Sequence, residues 1–236
     1  MGVRQTVIND VAGRLVWLAD GETLRVAVDG RTASGKTTFA NELASAVGEL
    51  GRPVIRASID GFHRPKVERY RQGRLSAEGY YYDARDLSAI VTLLLEPLSR
   101  GGDRLFRVES FDLVEDKPIT REPELAAENA ILIVDGTFLQ RPELAPHWDA
   151  SLFVQTAPAV SLERGLGRDA GNLGGLEQAR IFYEKRYRAA YEIYEAEAQP
   201  EQHADLIFNN DHLETPTVHL RPDSRLSLAS EGLLRE

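Results

Sequence analysis

The sequence predicts an α/β fold: a parallel sheet of about five strands with helices on both faces and a small lid. Three observations carry that expectation. Short apolar runs alternate with longer segments of helical periodicity over most of the chain. One run, AILIVDG at 130–136, is continuously apolar, as a strand covered on both faces must be. The run LRVAV at 24–28 passes at once into a glycine-rich turn and then a helical pattern, the order of a βα unit.

Taken in order, a helix is expected over 3–18 and a first strand over 24–28. Phe39, Leu43, Val47 and Leu50 recur at helical spacing, and Gly51 and Pro53 end that helix. Strands follow at 53–58, 104–111, 130–136, 151–156 and 205–209, the second of these the weakest. Further helices are expected at 86–97, 159–168 and 175–198. The last carries Tyr183, Tyr187, Tyr191 and Tyr194 on one side, a stripe that reads as packing. The polar segment 61–85, rich in tyrosine and arginine, reads as an insertion facing a substrate, and 216–236 as a weakly patterned tail. A single domain over 1–236 is expected, with its core at 24–212 and the lid at 159–174.

The chain of 236 residues has a formal charge of −9 and no cysteine. The charge argues against a general nucleic-acid binder, and the missing thiols exclude disulfides, thiolate metal sites and cysteine nucleophiles. No apolar run reaches the roughly 18 residues of a membrane span. The N-terminal stretch lacks a continuous signal-peptide core. The expectation is a cytoplasmic protein with no nucleic-acid or membrane partner. The N-terminal and tyrosine-rich helices each offer a surface for a homodimer.

Gly30-Arg31-Thr32-Ala33-Ser34-Gly35-Lys36-Thr37 matches GxxxxGK[ST] at every fixed position, and Thr38 follows. Glycines there let backbone N–H groups turn inward around phosphate oxygens, and the helix N-terminus adds positive potential. Lys36 would reach the β- and γ-phosphates and the Thr37 hydroxyl would ligate Mg²⁺, so residues 30–38 are expected to bind ATP. The fold class is therefore α/β of the P-loop NTPase type. Asp60 stands just beyond the second strand, where an open α/β sheet has its crevice. A carboxylate there either accepts a proton from a hydroxyl or binds Mg²⁺. His63 and Arg64 on the same loop are candidates for substrate contact, His63 equally for holding the loop. Asp135, after the apolar fourth run, is the expected acidic partner of the metal.

In their order along the chain, GRTASGKTT, SIDGFHRP, YYYDARD, ILIVDGTF and the RxxxRD of 164–169 resemble the uridine kinase, phosphoribulokinase and pantothenate kinase family, over roughly 24–212. The resemblance implies transfer of a phosphoryl group from ATP to a hydroxyl of a small metabolite. It implies Asp60 as catalytic base. Tyr82, Asp83 and Asp86 would close the acceptor site, and Arg164 and Arg168 would fold over the γ-phosphate as lid arginines. Positioned cations of that kind stabilise the charge spread over the transferring oxygens.

A nucleoside such as uridine is the first acceptor so implied. Three departures bear on it. The third strand reads Phe111-Asp112-Leu113 where uridine kinases carry a tyrosine, the downstream histidine position falls on Asp116, and 172–174 lacks the arginine–glycine–arginine element. Pantothenate-like, sugar and phosphosugar acceptors stay open. Lys66, Arg69, Arg71 and Arg74 would suit an anionic acceptor or form a solvated loop. A non-catalytic ATP-binding module is the alternative class. A guanine-nucleotide switch is disfavoured, because no NKxD-type segment is present.

Overall fold

The computed structural model describes residues 2–228. Its central sheet comprises β1 (Leu24–Asp29), β2 (Val54–Ser58), β3 (Ile131–Asp135), β4 (Ala150–Gln155), β5 (Leu206–Asn209) and β6 (Thr217–Leu220). Their order across the sheet is β6-β5-β4-β1-β3-β2. β6 runs antiparallel to β5, and every other pair is parallel. The helices are α1 (Val3–Ala19), α2 (Lys36–Glu49), α3 (Leu87–Ile90, continued by a π-type turn at Val91–Leu95) and α4 (Pro158–Asp169). A last long helix, α5, joins Leu176–Phe182, a π-type segment Tyr183–Arg188 and Ala189–Ala198.

The core has two main halves because successive strand residues point to opposite faces. Val26, Val28, Ile131, Ile133, Leu152 and Val154 pack with Ile8, Val11 and Leu15 of α1 and Phe39 and Leu43 of α2. Ala27, Leu132 and Val134 pack on the opposite face with Ile90 and Leu94. β3 therefore cannot alternate, and Ile131 to Val134 are all buried. At roughly 1.5–3 kcal/mol for each buried aliphatic side chain, this one strand contributes several kcal/mol to holding the sheet together.

Two expectations need correction. The segment 104–111 does not enter the sheet. Leu105–Phe106 pairs with Glu124–Leu125, and Phe111–Asp112 pairs with Lys117–Pro118, as two short antiparallel ladders. Its polar residues, among them Arg107 and Glu109, could not be covered on both faces of a central strand. Within the expected tail, Thr217–Leu220 forms the edge strand β6 and Leu226 is fully buried, while residues 229–236 lie outside the described residues. The tyrosine stripe is mostly interior packing: Tyr183, Tyr191 and Tyr194 are buried within the chain.

Candidate functional site

At the carboxyl edge of the sheet, register aligns Asp135 with both Val28 and Ser58. The ends of β1, β2 and β3 therefore lie side by side, the place where such sheets bind ligands. The glycine-rich loop leaves β1, and α2 begins at Lys36 behind Gly35, whose φ is 93°. A Cβ on Gly30 would come within 2.5 Å of the Val154 carbonyl oxygen, and one on Gly35 would strike the Asn210 amide. Neither position tolerates a side chain. Asn210 Nδ2 and Thr156 Oγ1 both donate to the Ser34 carbonyl, at 2.8 and 3.2 Å, so β4 and β5 hold the loop from behind.

Inside this loop Lys36 Nζ donates to the Arg31 carbonyl at 2.7 Å. Burial pushes its pKa down to about 8, against the pull of Asp29, Asp135 and Asp60. Thr37 Oγ1 donates to Asp135 Oδ2 at 2.6 Å, and Arg56 Nη2 donates to the other carboxylate oxygen at 2.8 Å. A hydroxyl and a carboxylate in contact, with the carboxylate oriented by an arginine, fit Mg²⁺, which uses one or two carboxylates and keeps several waters. Among the described residues no cluster of three or more acidic or histidine side chains offers a fuller metal site.

Asp60 sits in the 3₁₀ turn Ile59–Phe62, beginning where β2 ends. Its side chain is 63% exposed and accepts a hydrogen bond from Arg85 Nη2 at 2.7 Å. Desolvation would raise its pKa, but the Arg85 charge prevails and holds the carboxyl below the usual range. It is an ionised acceptor at neutral pH. His63 Nδ1 donates to the Asp60 carbonyl at 2.8 Å, and burial together with Arg85 pushes the imidazole down to about 3. His63 is thus neutral and braces the turn while lining the cavity.

Lys36, Thr37, Asp60, His63 and Asp135 open on one cavity of ≈ 670 Å³. Its remaining walls include Lys66, Arg69, Arg74, Arg85, Arg168 and Arg186, with Tyr70, Tyr80 and Tyr187. A second cavity of ≈ 180 Å³ adjoins it at Thr32, between α4 and α5, lined in part by Arg31, Tyr183, Tyr187 and Tyr191. Arg31 stacks on the Tyr191 ring at 4.5 Å.

Several expected residues do not reach the cavity. Arg164 donates to the carbonyls of Asn210 and Asp211, both at 2.9 Å, which ties it to the end of β5. Arg168 does line the cavity and pairs with Asp169 at 2.8 Å. Arg64 turns back to the Arg85 carbonyl, and Asp83 pairs with Arg71 and Gln72. Asp86 caps α3 through the Ala89 N–H, Tyr82 donates to Glu197, and Phe111 is buried outside the cavity. In YYYDARD the residues that line the cavity are Tyr80 and Arg85, not the two carboxylates expected there. Arg71 is solvated, whereas Arg69 is buried and paired with Asp116.

Sequence reasoning also missed Asp29. It is fully buried directly before the loop and accepts hydrogen bonds from the Tyr194 hydroxyl, the Gly30 N–H at 2.7 Å and the Gln140 N–H at 3.3 Å. Burial raises its pKa, opposed by the Tyr194 and Gly30 hydrogen bonds. The signal was a charged residue closing an otherwise apolar strand.

The phosphoribulokinase/uridine kinase family model matches residues 26–212. No curated protein sequence matches the chain. Among solved structures, the chain is similar to a "possible uridine kinase" from Bacillus stearothermophilus, at 23% identity and TM-score 0.61, over 82% of this chain and 96% of that one. It is also similar to a D-glycerate 3-kinase from Cryptococcus neoformans, at 12% identity and TM-score 0.63, over 92% and 99%. These two likenesses establish the fold. The family match covers most of the chain and takes in the loop, Asp60 and Asp135, and by it the chain belongs to the phosphoribulokinase/uridine kinase family of P-loop kinases.

Proposed function

We propose that the chain transfers the γ-phosphoryl group of Mg²⁺–ATP to a hydroxyl of a small metabolite. The observation that carries this reading is the opening of Lys36, the Thr37–Asp135 pair and the ionised Asp60 onto one cavity. The loop 30–35 and the N-terminus of α2 receive the phosphates, with Lys36 supplying charge and Arg168 reaching from the lid. Mg²⁺ held at Thr37 and Asp135 would neutralise phosphate charge. Asp60 orients the acceptor hydroxyl and takes its proton as the new O–P bond forms and the bond to the β-phosphate oxygen breaks, releasing ADP. A base of lowered pKa suffices, because phosphoryl transfer depends mainly on positioning and charge.

The nucleoside acceptor favoured by sequence draws support from the family match and from the bacterial "possible uridine kinase" alone; Phe111, where its recognition was expected, stands away from the cavity. The test is ADP release from Mg²⁺–ATP across a panel of hydroxyl-bearing metabolites, with Asp60→Asn alongside. Acceptor-stimulated release that the variant loses supports the reading. Equal release with and without every acceptor, unchanged in the variant, removes it.

A further inference from the structure

We infer that the acceptor carries an oxyanion, a carboxylate or a phosphate, remote from the hydroxyl that reacts. The inference rests on the kinase reading and specifies its substrate class. Around Tyr70 and Tyr80 the structure gathers four guanidinium groups. Arg186 lies 4.6 Å from the centre of the Tyr80 ring and 5.3 Å from that of Tyr70. Arg69 and Arg74 lie 5.1 and 5.7 Å from the Tyr70 ring, and Arg85 lies 5.5 Å from that of Tyr80. Lys66 lines the same wall.

Carboxylates do not balance these charges. Asp116 pairs with Arg69 and Asp60 with Arg85. Among the described residues Lys66, Arg74 and Arg186 have no carboxylate within ion-pair distance, and the Arg186 hydrogen bond from Nη1 goes to the neutral Arg74 carbonyl. Arg186 is 5% exposed. Burial lowers its pKa, which is how a buried cation without a counter-charge behaves. Burial would raise the Tyr70 phenol, yet the Arg69 side chain and the fields of Arg186 and Arg74 lower it. Buried guanidinium donors are also unspent: Nε and Nη1 of Arg85 and Nε of Arg69 lack partners. Buried donors are ordinarily satisfied, and an oxyanion accepts several guanidinium hydrogen bonds at once.

None of these residues belongs to the nucleotide loop 30–38. The wall connects to the reaction centre through Arg85, which bonds Asp60 at 2.7 Å and adjoins Tyr80, the ring beneath Arg186. An anion seated on Arg186, Arg74 and Lys66 would therefore leave the other end of the same small molecule at Asp60.

The experiment is calorimetric titration of the protein saturated with Mg²⁺ and a non-hydrolysable ATP analogue, so that the loop is filled. The probes are matched pairs: D-glycerate with glycerol, ribose 5-phosphate with ribose, and uridine as a neutral nucleoside. At least one anionic member should bind about tenfold or more tightly than its neutral partner, weaken with added salt, and lose about tenfold in Arg186→Gln and again in Arg74→Gln, the second variant lying at a more exposed position. A carboxylate source favours glycerate and a phosphate source ribose 5-phosphate. Equal binding within both pairs, binding of uridine alone, absence of binding by either anion, or an anion preference that survives both variants overturns the inference. The kinase reading is judged separately, by whether the analogue binds and whether an acceptor stimulates ADP release.

Discussion

The proposed nucleotide half and the proposed acceptor half of the cavity are built in different ways. The nucleotide half comes from one contiguous loop, 30–38, pinned by backbone geometry, with Asp135 aligned to it by sheet register. The acceptor half is assembled from side chains of the 61–85 segment and of α5, which lie about ninety or more positions apart in sequence. A loop cradle uses backbone N–H groups common to every residue, so its chemistry is fixed and its sequence narrow. A wall of side chains is free to change its charge without disturbing the fold. On the proposed reading, the difference teaches that the reaction type belongs to the first half and the substrate to the second.

The largest expected effect sits in the first half. Lys36→Ala should lower turnover by about 10²–10³-fold, the scale for losing one positioned donor to a developing charge, while circular dichroism stays native. Retained activity would break the division, since the loop's other cation, Arg31, stacks on Tyr191 and lines the adjoining cavity instead. Next, Arg168→Gln should reduce kcat by about tenfold or more, whereas Arg164→Gln should leave kcat nearly unchanged and cost about 1 kcal/mol of stability in urea denaturation. Equal kinetic losses would show that Arg164 leaves the Asn210 and Asp211 carbonyls during turnover.

Smaller effects sharpen what lies beneath the loop. Tyr194→Phe removes a donor from the buried Asp29 carboxyl and should cost about 1.5–3 kcal/mol, read as a lower urea midpoint. Asp29 titrates above its ordinary 3.8 when folded, so the stability it contributes is present at low pH and is lost as pH rises through the folded value. The stability of the wild type minus that of Asp29→Asn should accordingly fall as the pH is raised from about 4 to 8. A flat or rising difference would show that the hydrogen bonds to Asp29 outweigh its burial.

Legibility in the sequence follows the same division. The loop, the strand before it and Asp135 were readable because their signals are local: fixed glycine spacing and an apolar run ending in a carboxylate. Five parallel strands and the five long helices fall where periodicity put them, and β6 was missed because Thr217–Leu220 is half exposed and short. The weak run at 104–111 misled because isolated apolar residues such as Phe106 and Phe111 anchor two small ladders rather than a sheet strand. Arg164 and Arg168, four residues apart on α4, look equivalent in sequence; only the carbonyls at the end of β5 separate them. Arginine density at 61–85 was visible, but its partner Arg186 was not. The π-type turn at Tyr183–Arg188 breaks the 3.6-residue period by which facing residues are read, and such turns often occur at functional sites.

The most direct test of the account is transfer of label from γ-radiolabelled ATP into an organic product, by the wild type and by Asp60→Asn. The expected result is a labelled phosphate ester formed by the wild type and about 10²-fold less by the variant, with ATP binding retained in both. Label released only as inorganic phosphate, at the same rate in both proteins, would contradict it.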